Sequence, residues 1–261
     1  MQKKRVIVVT FVWREMKSME KMAFKCGVRR LENHPFAVVH PQSYSIEYLK
    51  EKYPRIIDMP MADMNFKSVD SYNEMMLTPE FYQSFSDYEY MLIYQLDAFV
   101  FEDKLDYWVS QGYDYVGAPW LPKSDSWLQY AVGDIVIKVL KLFPIINNRV
   151  HHPHKYFEVG NGGFSLRRIP TMIRILTESK EEIKRLPKGS LERKEDIAIS
   201  LLLGKKYKLK IPNWRTAAFF SFEYNPNRCY RVTDGHLPFG CHAWNSRNWE
   251  LFWRGRLWYR E

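Results

Sequence analysis

Two places in the sequence set acids directly against apolar runs that can hold them still, and a third sets histidines around a turn. Acids and histidines are the side chains that move protons and bind cations. Asp97 stands in Tyr94-Gln95-Leu96-Asp97-Ala98-Phe99, just past the apolar run Glu89 to Tyr94. At the carboxyl edge of an open α/β sheet, where ligands bind, its carboxylate suits a hard divalent cation, Mn²⁺ or Mg²⁺, set against phosphates. The plainer reading is a cap on the turn into a helix at Glu102 to Ser110. Glu195-Asp196 precedes Ile197-Ala198-Ile199-Ser200-Leu201, which puts two acids in the first turn of an apolar helix. The helix dipole alone accounts for acids there. The chemical reading makes Asp196 a general base taking a proton from a hydroxyl, a role worth roughly 10²- to 10⁴-fold in rate. An ordinary aspartate, with pKa near about 3.9, is a weak base, so positioning must carry much of that effect.

His236 and His242 flank Leu237-Pro238-Phe239-Gly240-Cys241. A neutral imidazole here completes a metal shell or touches a diphosphate, or it is a structural histidine without a ligand. His151, His152 and His154 crowd the segment Asn147 to His154. Their spacing lacks the HExxH form and no cysteine or acid pattern supports zinc, so a solvated loop is expected. Asn161-Gly162-Gly163-Phe164-Ser165-Leu166-Arg167 is neither a GxGxxG turn nor a lysine-bearing phosphate loop. A glycine pair lets a ligand approach the backbone closely, or marks a bulge entering a strand.

The elements that must position these groups follow from periodicity. Short β-branched runs at Arg5 to Val12, Phe36 to His40 and Arg55 to Met59 alternate with amphipathic ones, as in a largely parallel sheet with crossover helices. Glu15 to Leu31 is helical in spacing, as is the run from Val69 through Met76; Glu89 to Tyr94 and Tyr113 to Ala118 read as further strands. Beyond an apolar and basic stretch at Trp127 to Ile146, the pattern predicts an extended segment at Val159 to Leu166. It continues with helices near Pro170 to Leu186 and Glu195 to Leu203 and another extended piece at Ala217 to Glu223. Without repeats or a low-complexity linker, one domain is the simplest division, with residues 1–122 as one half, 123–155 as an insert and 156–261 as the second half.

Composition narrows the class. With 261 residues, 46% of them hydrophobic, the chain can bury a substantial core, which argues against disorder. No apolar run approaches the roughly 18 to 20 residues of a membrane span, so a soluble cytoplasmic protein is expected. Three cysteines, without CxxC spacing, indicate neither a disulfide framework nor a cysteine zinc site. A net charge of +9 draws phosphates, anionic lipid or nucleic acid without choosing among them. A non-catalytic polyanion- or nucleic-acid-binding domain is one alternative. The basic residues are interspersed with acids and no nucleic-acid motif appears, so no nucleic-acid partner is expected. A sugar nucleotidyltransferase is another alternative, yet Thr10-Phe11-Val12-Trp13-Arg14 has no glycine for the phosphate loop such chemistry uses. Trp127 to Ile146 and the tail Trp249 to Arg260 mix aromatic and basic residues as interfacial segments do, which suggests an anionic membrane surface as a partner on the inner face of the plasma membrane.

In this order, an aspartate after a strand, a glycine loop, an acidic pair and a late histidine resemble the landmarks of GT-A glycosyltransferases. More closely, the chain resembles a family of bacterial surface-polysaccharide glycosyltransferases long carried as a domain of unknown function. The matching text is Tyr72-Asn73 with Met76-Leu77, Glu89-Tyr90 through Gln95-Leu96-Asp97-Ala98-Phe99, and Tyr113-Asp114-Tyr115-Val116-Gly117-Ala118-Pro119-Trp120. It continues with Val159-Gly160-Asn161-Gly162-Gly163-Phe164-Ser165, Glu195-Asp196 and Pro238-Phe239-Gly240-Cys241-His242. The resemblance implies an α/β, GT-A-like fold: a Rossmann-like nucleotide-binding half with a mostly parallel central sheet, merged with a smaller acceptor-binding half. It implies a nucleotide-sugar donor, UDP-linked in the commonest case, and a glycan or lipid-linked glycan acceptor. Thr10, Trp13, Tyr72, Asn73, Gln95, Asp97, Asn161, Gly162 and Gly163 would then contact the donor. Asp97 and His242 would hold Mn²⁺ or Mg²⁺, and Asp196 beside Glu195 would be the base of an inverting displacement. One departure from the family pattern is Phe99, which stands where a second metal-binding acid is common.

Overall fold

The computed structural model describes residues 4–122 and 155–257. Its centre is a six-stranded sheet in the order β3-β2-β1-β4-β7-β6. β1 (Lys4–Phe11), β2 (Phe36–Pro41), β3 (Ile56–Met61) and β4 (Tyr88–Tyr94) run parallel, while β7 (Phe164–Arg168) runs antiparallel to both β4 and β6 (Tyr115–Val116). The β1 run Val6-Ile7-Val8-Val9 is buried throughout, as a central strand covered on both faces must be. Alternation then divides the core in two. Val6, Val8, Leu92 and Tyr94 face a layer containing Phe24 of α1 (Ser18–Arg30). Ile7, Val9, Met91 and Ile93 face Met76 of α3 (Val69–Met76), Phe81 of α4 (Pro79–Gln83) and Met172 and Ile175 of α6 (Ile169–Glu178). A short helix α2 (Glu47–Lys52) joins β2 to β3, and α5 (Leu105–Ser110) precedes β6.

A second sheet of three two-residue strands, in the order β5-β9-β8, stands beside the first. β5 (Phe99–Val100) pairs antiparallel with β9 (Gly240–Cys241), which pairs parallel with β8 (Ser221–Phe222). This small ladder sets the position of the late histidine.

The central sheet is mostly parallel, as the pattern suggested, with β7 running against its two neighbours β4 and β6. The extended segment expected at Ala217 to Glu223 is mostly helix, and only Ser221–Phe222 is strand. Asn213 caps that helix, Trp214–Phe220, by accepting from the backbone N–H groups of Arg215 and Thr216. This capping and two alanines outweigh the aromatic residues that suggested a strand. The helix expected over Pro170 to Leu186 is two, α6 and α7 (Lys180–Arg185), meeting at Ser179. In the tail, Phe252 and Trp253 lie in the core beside Phe101 and Phe222, so these two aromatics pack the domain and are withdrawn from any interfacial surface. The Trp127 to Ile146 stretch, the histidines at 151, 152 and 154, and residues 258–261 lie outside the described residues. Among the described residues no helix is long and apolar enough to cross a membrane.

Candidate active site

The site grows from the carboxyl ends of the parallel strands. β4 stops at Tyr94, and the Gln95 N–H donates to the Gly163 carbonyl at 2.8 Å, continuing the β4–β7 ladder by one step. The glycine pair therefore lies beside the loop that carries Asp97. Asn161 turns the chain into β7 from a left-handed conformation, φ 69°, and its Oδ1 accepts from the Gly163 N–H at 2.9 Å. Asparagine tolerates that conformation because its short side chain bonds the local backbone. The glycines themselves are required by neighbours within the chain. A Cβ on Gly163 would lie 2.1 Å from Nε2 of His242, and one on Gly162 would lie 1.6 Å from Oε1 of Glu195.

Asp97 precedes β5 and His242 follows β9, and the pairing of Phe99 with Cys241 brings the two side chains together. Nε2 of His242 is 3.1 Å from Oδ1 of Asp97 and 3.2 Å from Oε1 of Gln95. On the other side of the ring, Nδ1 is 3.1 Å from Oε1 of Glu223. Burial disfavours a charged His242, but the carboxylates of Asp97 and Glu223 outweigh it and lift the imidazole to about 10. Burial likewise opposes ionisation of Asp97, and His242 overcomes it, leaving the carboxyl below its usual range.

The acidic pair opens a helix, α8 (Glu195–Ile197), that continues as a π-helical turn over Ala198–Leu203 and ends in α9 (Gly204–Lys206). Asn73 holds the first turn from outside, its Oδ1 accepting the Glu195 N–H at 2.9 Å. The two acids then diverge. Glu195 points inward to Arg167, with Nη2 to Oε2 at 2.8 Å, and both side chains are buried. Arg167 also donates to Tyr82 Oη at 2.8 Å and to Ser165 Oγ at 3.0 Å, and reaches the Gly162 carbonyl at 3.3 Å. Asp196 stays partly exposed, and its Oδ1 accepts from the Ile197 N–H. Burial and the nearby Glu223 both raise the Asp196 carboxyl, which makes it a better proton acceptor than an ordinary aspartate.

The remaining sequence-predicted residues border this cluster. Tyr72 Oη accepts from Gln95 Nε2 at 2.9 Å and its ring meets Phe11 edge-on. Thr10 is buried with its hydroxyl lacking a hydrogen-bond partner, and Trp13 is 45% exposed just past the end of β1, beside Arg14. Among these residues, hydrogen bonds and close approaches link Tyr72, Asn73, Gln95, Asp97, Asn161, Gly162, Gly163, Glu195 and His242 into one connected patch. His236 goes elsewhere, bonding the Thr233 carbonyl. Glu223 and Arg167 were not anticipated. Glu223 has the same signature as Asp97, an acid directly after an apolar run, here Phe220-Ser221-Phe222. Arg167 is a cation inside an apolar strand, a pattern that requires a buried partner.

Among the described residues, Asp97, Glu195, Asp196 and Glu223 are met by Arg167, His242 and, beside Asp196, Lys194, so four acids outnumber three cations in this patch of a basic chain. Such a patch repels a diphosphate unless a cation enters with it. The donor set suits one. Ligands at the roughly 2.0–2.1 Å of octahedral Mg²⁺ stand about 3 Å apart, which is the spacing of Asp97 Oδ1 and His242 Nε2. Among the described residues no group of three or more His, Cys, Asp or Glu converges on a metal position, because Glu223 lies behind the imidazole. Diphosphate oxygens and water would supply the rest of the shell, the usual arrangement for this ion.

No curated protein matches the chain. Among solved structures, it is similar to the galactosyltransferase LgtC in complex with donor and acceptor sugar analogs. The identity is 14%, the TM-score 0.52, and 96% of this chain and 100% of that one are covered. It is also similar to mouse xyloside xylosyltransferase 1 in its apo form, at 9% identity and TM-score 0.52, covering 92% and 97%. At these identities the likeness is one of fold: the fold is GT-A-like, as the sequence landmarks implied. The model of the family described as a protein of unknown function, DUF5672, matches residues 57–242, and the chain belongs to that family.

Proposed function

We propose that the protein is a glycosyltransferase that moves a sugar from a nucleotide-diphosphate donor, UDP-linked, to a hydroxyl of a glycan or lipid-linked glycan acceptor in surface-polysaccharide synthesis, with inversion at the anomeric carbon. The observation that carries the reading is the meeting of Asp97, His242, the Gly162–Gly163 turn and the Glu195–Asp196 pair at the carboxyl edge of the parallel strands. Residues 1–122 serve as the donor half and 156–261 as the acceptor half.

In this reading Thr10 and Trp13, at and just past the end of β1, border the nucleotide, and Tyr72 and Gln95 hold the wall beside it through their mutual hydrogen bond. Asp97 and His242 would hold Mn²⁺ or Mg²⁺, whose bound charge neutralises the departing diphosphate. Asp196 removes the acceptor proton, helped by its raised carboxyl. Glu195, tied to Arg167, fixes the helix start that aims Asp196. The C1–O bond to the diphosphate breaks as the acceptor oxygen bonds C1, and the acceptor proton passes to Asp196. Membrane association would rest on the segments outside the described residues together with basic side chains.

A thermal-shift screen of nucleotide sugars with and without Mn²⁺ tests donor class and cation together, since a ligand that binds only the folded state stabilises it. Stabilisation by a UDP-sugar that grows with Mn²⁺ is expected; no response to any nucleotide sugar would sink the proposal. With a donor in hand, Asp196→Asn is expected to lower kcat roughly 10²- to 10⁴-fold with donor affinity nearly unchanged.

A further inference from the structure

Glu223 belongs to no landmark, yet it is nine-tenths buried beside the site. It follows β8 as His242 follows β9; Phe222 and Cys241 pair in that parallel ladder, and the His242 N–H donates to the Phe222 carbonyl at 2.9 Å. The two side chains thus leave neighbouring strand ends together. Oε1 of Glu223 sits 3.1 Å from Nδ1 of His242, and its Oε2 has no hydrogen-bond partner among the described residues. No other hydrogen-bond donor among those residues diverts the carboxylate from the ring.

An ionised carboxylate only accepts hydrogen bonds, so the ring nitrogen facing it carries the hydrogen. Nε2 faces two acceptors, Asp97 Oδ1 and Gln95 Oε1, so without a cation it carries a hydrogen as well. A cation entering beside Asp97 displaces that hydrogen, while the one on Nδ1 stays with Glu223. Gln95 is itself oriented, because its Nε2 donates to Tyr72 and its Oε1 therefore faces the imidazole. A second carboxylate behind a metal-bound imidazole fixes the tautomer and makes the ring a stronger ligand.

We propose that Glu223 is a positioning residue: it keeps the hydrogen on Nδ1 of His242 and turns Nε2 toward Asp97, so that Nε2 is the nitrogen that gives up its hydrogen to the divalent cation. The inference rests on the cation-binding reading of Asp97 and His242. It assigns to this chain a partner for His242 that lies outside the aspartate, glycine-loop, acidic-pair and histidine landmarks.

Titration of Mn²⁺ into the full-length protein with saturating UDP, followed by electron paramagnetic resonance of the free ion, tests it on the wild type, Glu223→Gln and Glu223→Ala. Loss of the carboxylate is expected to weaken Mn²⁺ about 10- to 100-fold, with Gln, which keeps an acceptor oxygen, less affected than Ala. Unchanged affinity in variants that unfold at the wild-type temperature overturns the role of Glu223 alone. A wild type that binds no Mn²⁺ overturns it together with the cation site. Nitrogen NMR of the His242 ring in Mg²⁺- and UDP-loaded wild type needs no variant: a hydrogen on Nδ1 and none on Nε2 is expected, and the opposite tautomer overturns the proposal.

Discussion

The Glu195 carboxylate fills the space that a side chain on Gly162 would need, since an ideal Cβ there would stand 1.6 Å from Oε1. The backbone of the glycine turn and the start of the acidic helix are thereby packed against each other, with Arg167 gripping both the Gly162 carbonyl and Glu195 Oε2. A close approach of this kind ties the geometry of one landmark to that of the other.

Gly162→Ala is therefore expected to be costly although it adds one carbon. Overpacking at a site this tight costs about 1–3 kcal/mol, and the displaced Glu195 would drag Asp196 with it. Urea unfolding measures the first effect and transfer assays the second. Gly255→Ala makes the contrast: it lies in the helix Glu250–Leu257 with open space around it, and is expected to be neutral or to stabilise by roughly 0.5–1 kcal/mol.

Arg167→Met removes the charge that holds the Glu195 carboxyl down, so the buried acid must take up a proton at neutral pH. Tyr82, Ser165 and the Gly162 carbonyl lose their donor as well, and the cost is about 3–5 kcal/mol. Adding Glu195→Gln to that variant should recover part of the loss, because glutamine is neutral without taking up a proton. A double-mutant cycle by chemical denaturation checks this, and strictly additive losses would contradict a direct coupling between the two side chains.

The same pair predicts a pH dependence. Burial raises the Glu195 carboxyl to about 7 against the opposing pull of Arg167. The folded protein then keeps this proton to higher pH than the unfolded chain does. Stability from the group is present below the ordinary value of 4.5 and is lost as pH rises through about 7. Compared with Glu195→Gln, which does not titrate, the wild type should lose stability between about pH 5 and 8. Urea midpoints across that range decide the matter, and a relative gain by the wild type would mean that the attraction of Arg167 dominates.

Asp97→Ala is expected to weaken Mn²⁺-dependent donor binding by at least about tenfold and to flatten any response to the metal. Calorimetric titration of UDP with and without Mn²⁺ reads both quantities. Identical titrations for wild type and variant would remove Asp97 from the donor site.

Much of the site was legible in the residues. The apolar run before Gln95 locates a strand end, the run Ile197-Ala198-Ile199 makes a helix of the segment that Glu195-Asp196 opens, and Gly162-Gly163 announces a close approach. These are local facts, written in periodicity over a few residues, and they brought Asp97, Glu195 and the glycine turn into view as candidates. The identity of the groups packed against the glycines was decided only by tertiary structure. So were the joining of His242 to Asp97 through a two-residue ladder, the placing of Glu223 behind the imidazole, and the burial of Arg167 against Glu195 on an antiparallel strand. Periodicity tells a side chain which face it takes but not which distant segment it meets. That choice belongs to strand order, direction and register, which are set by how the two core layers and the small second sheet close around one another.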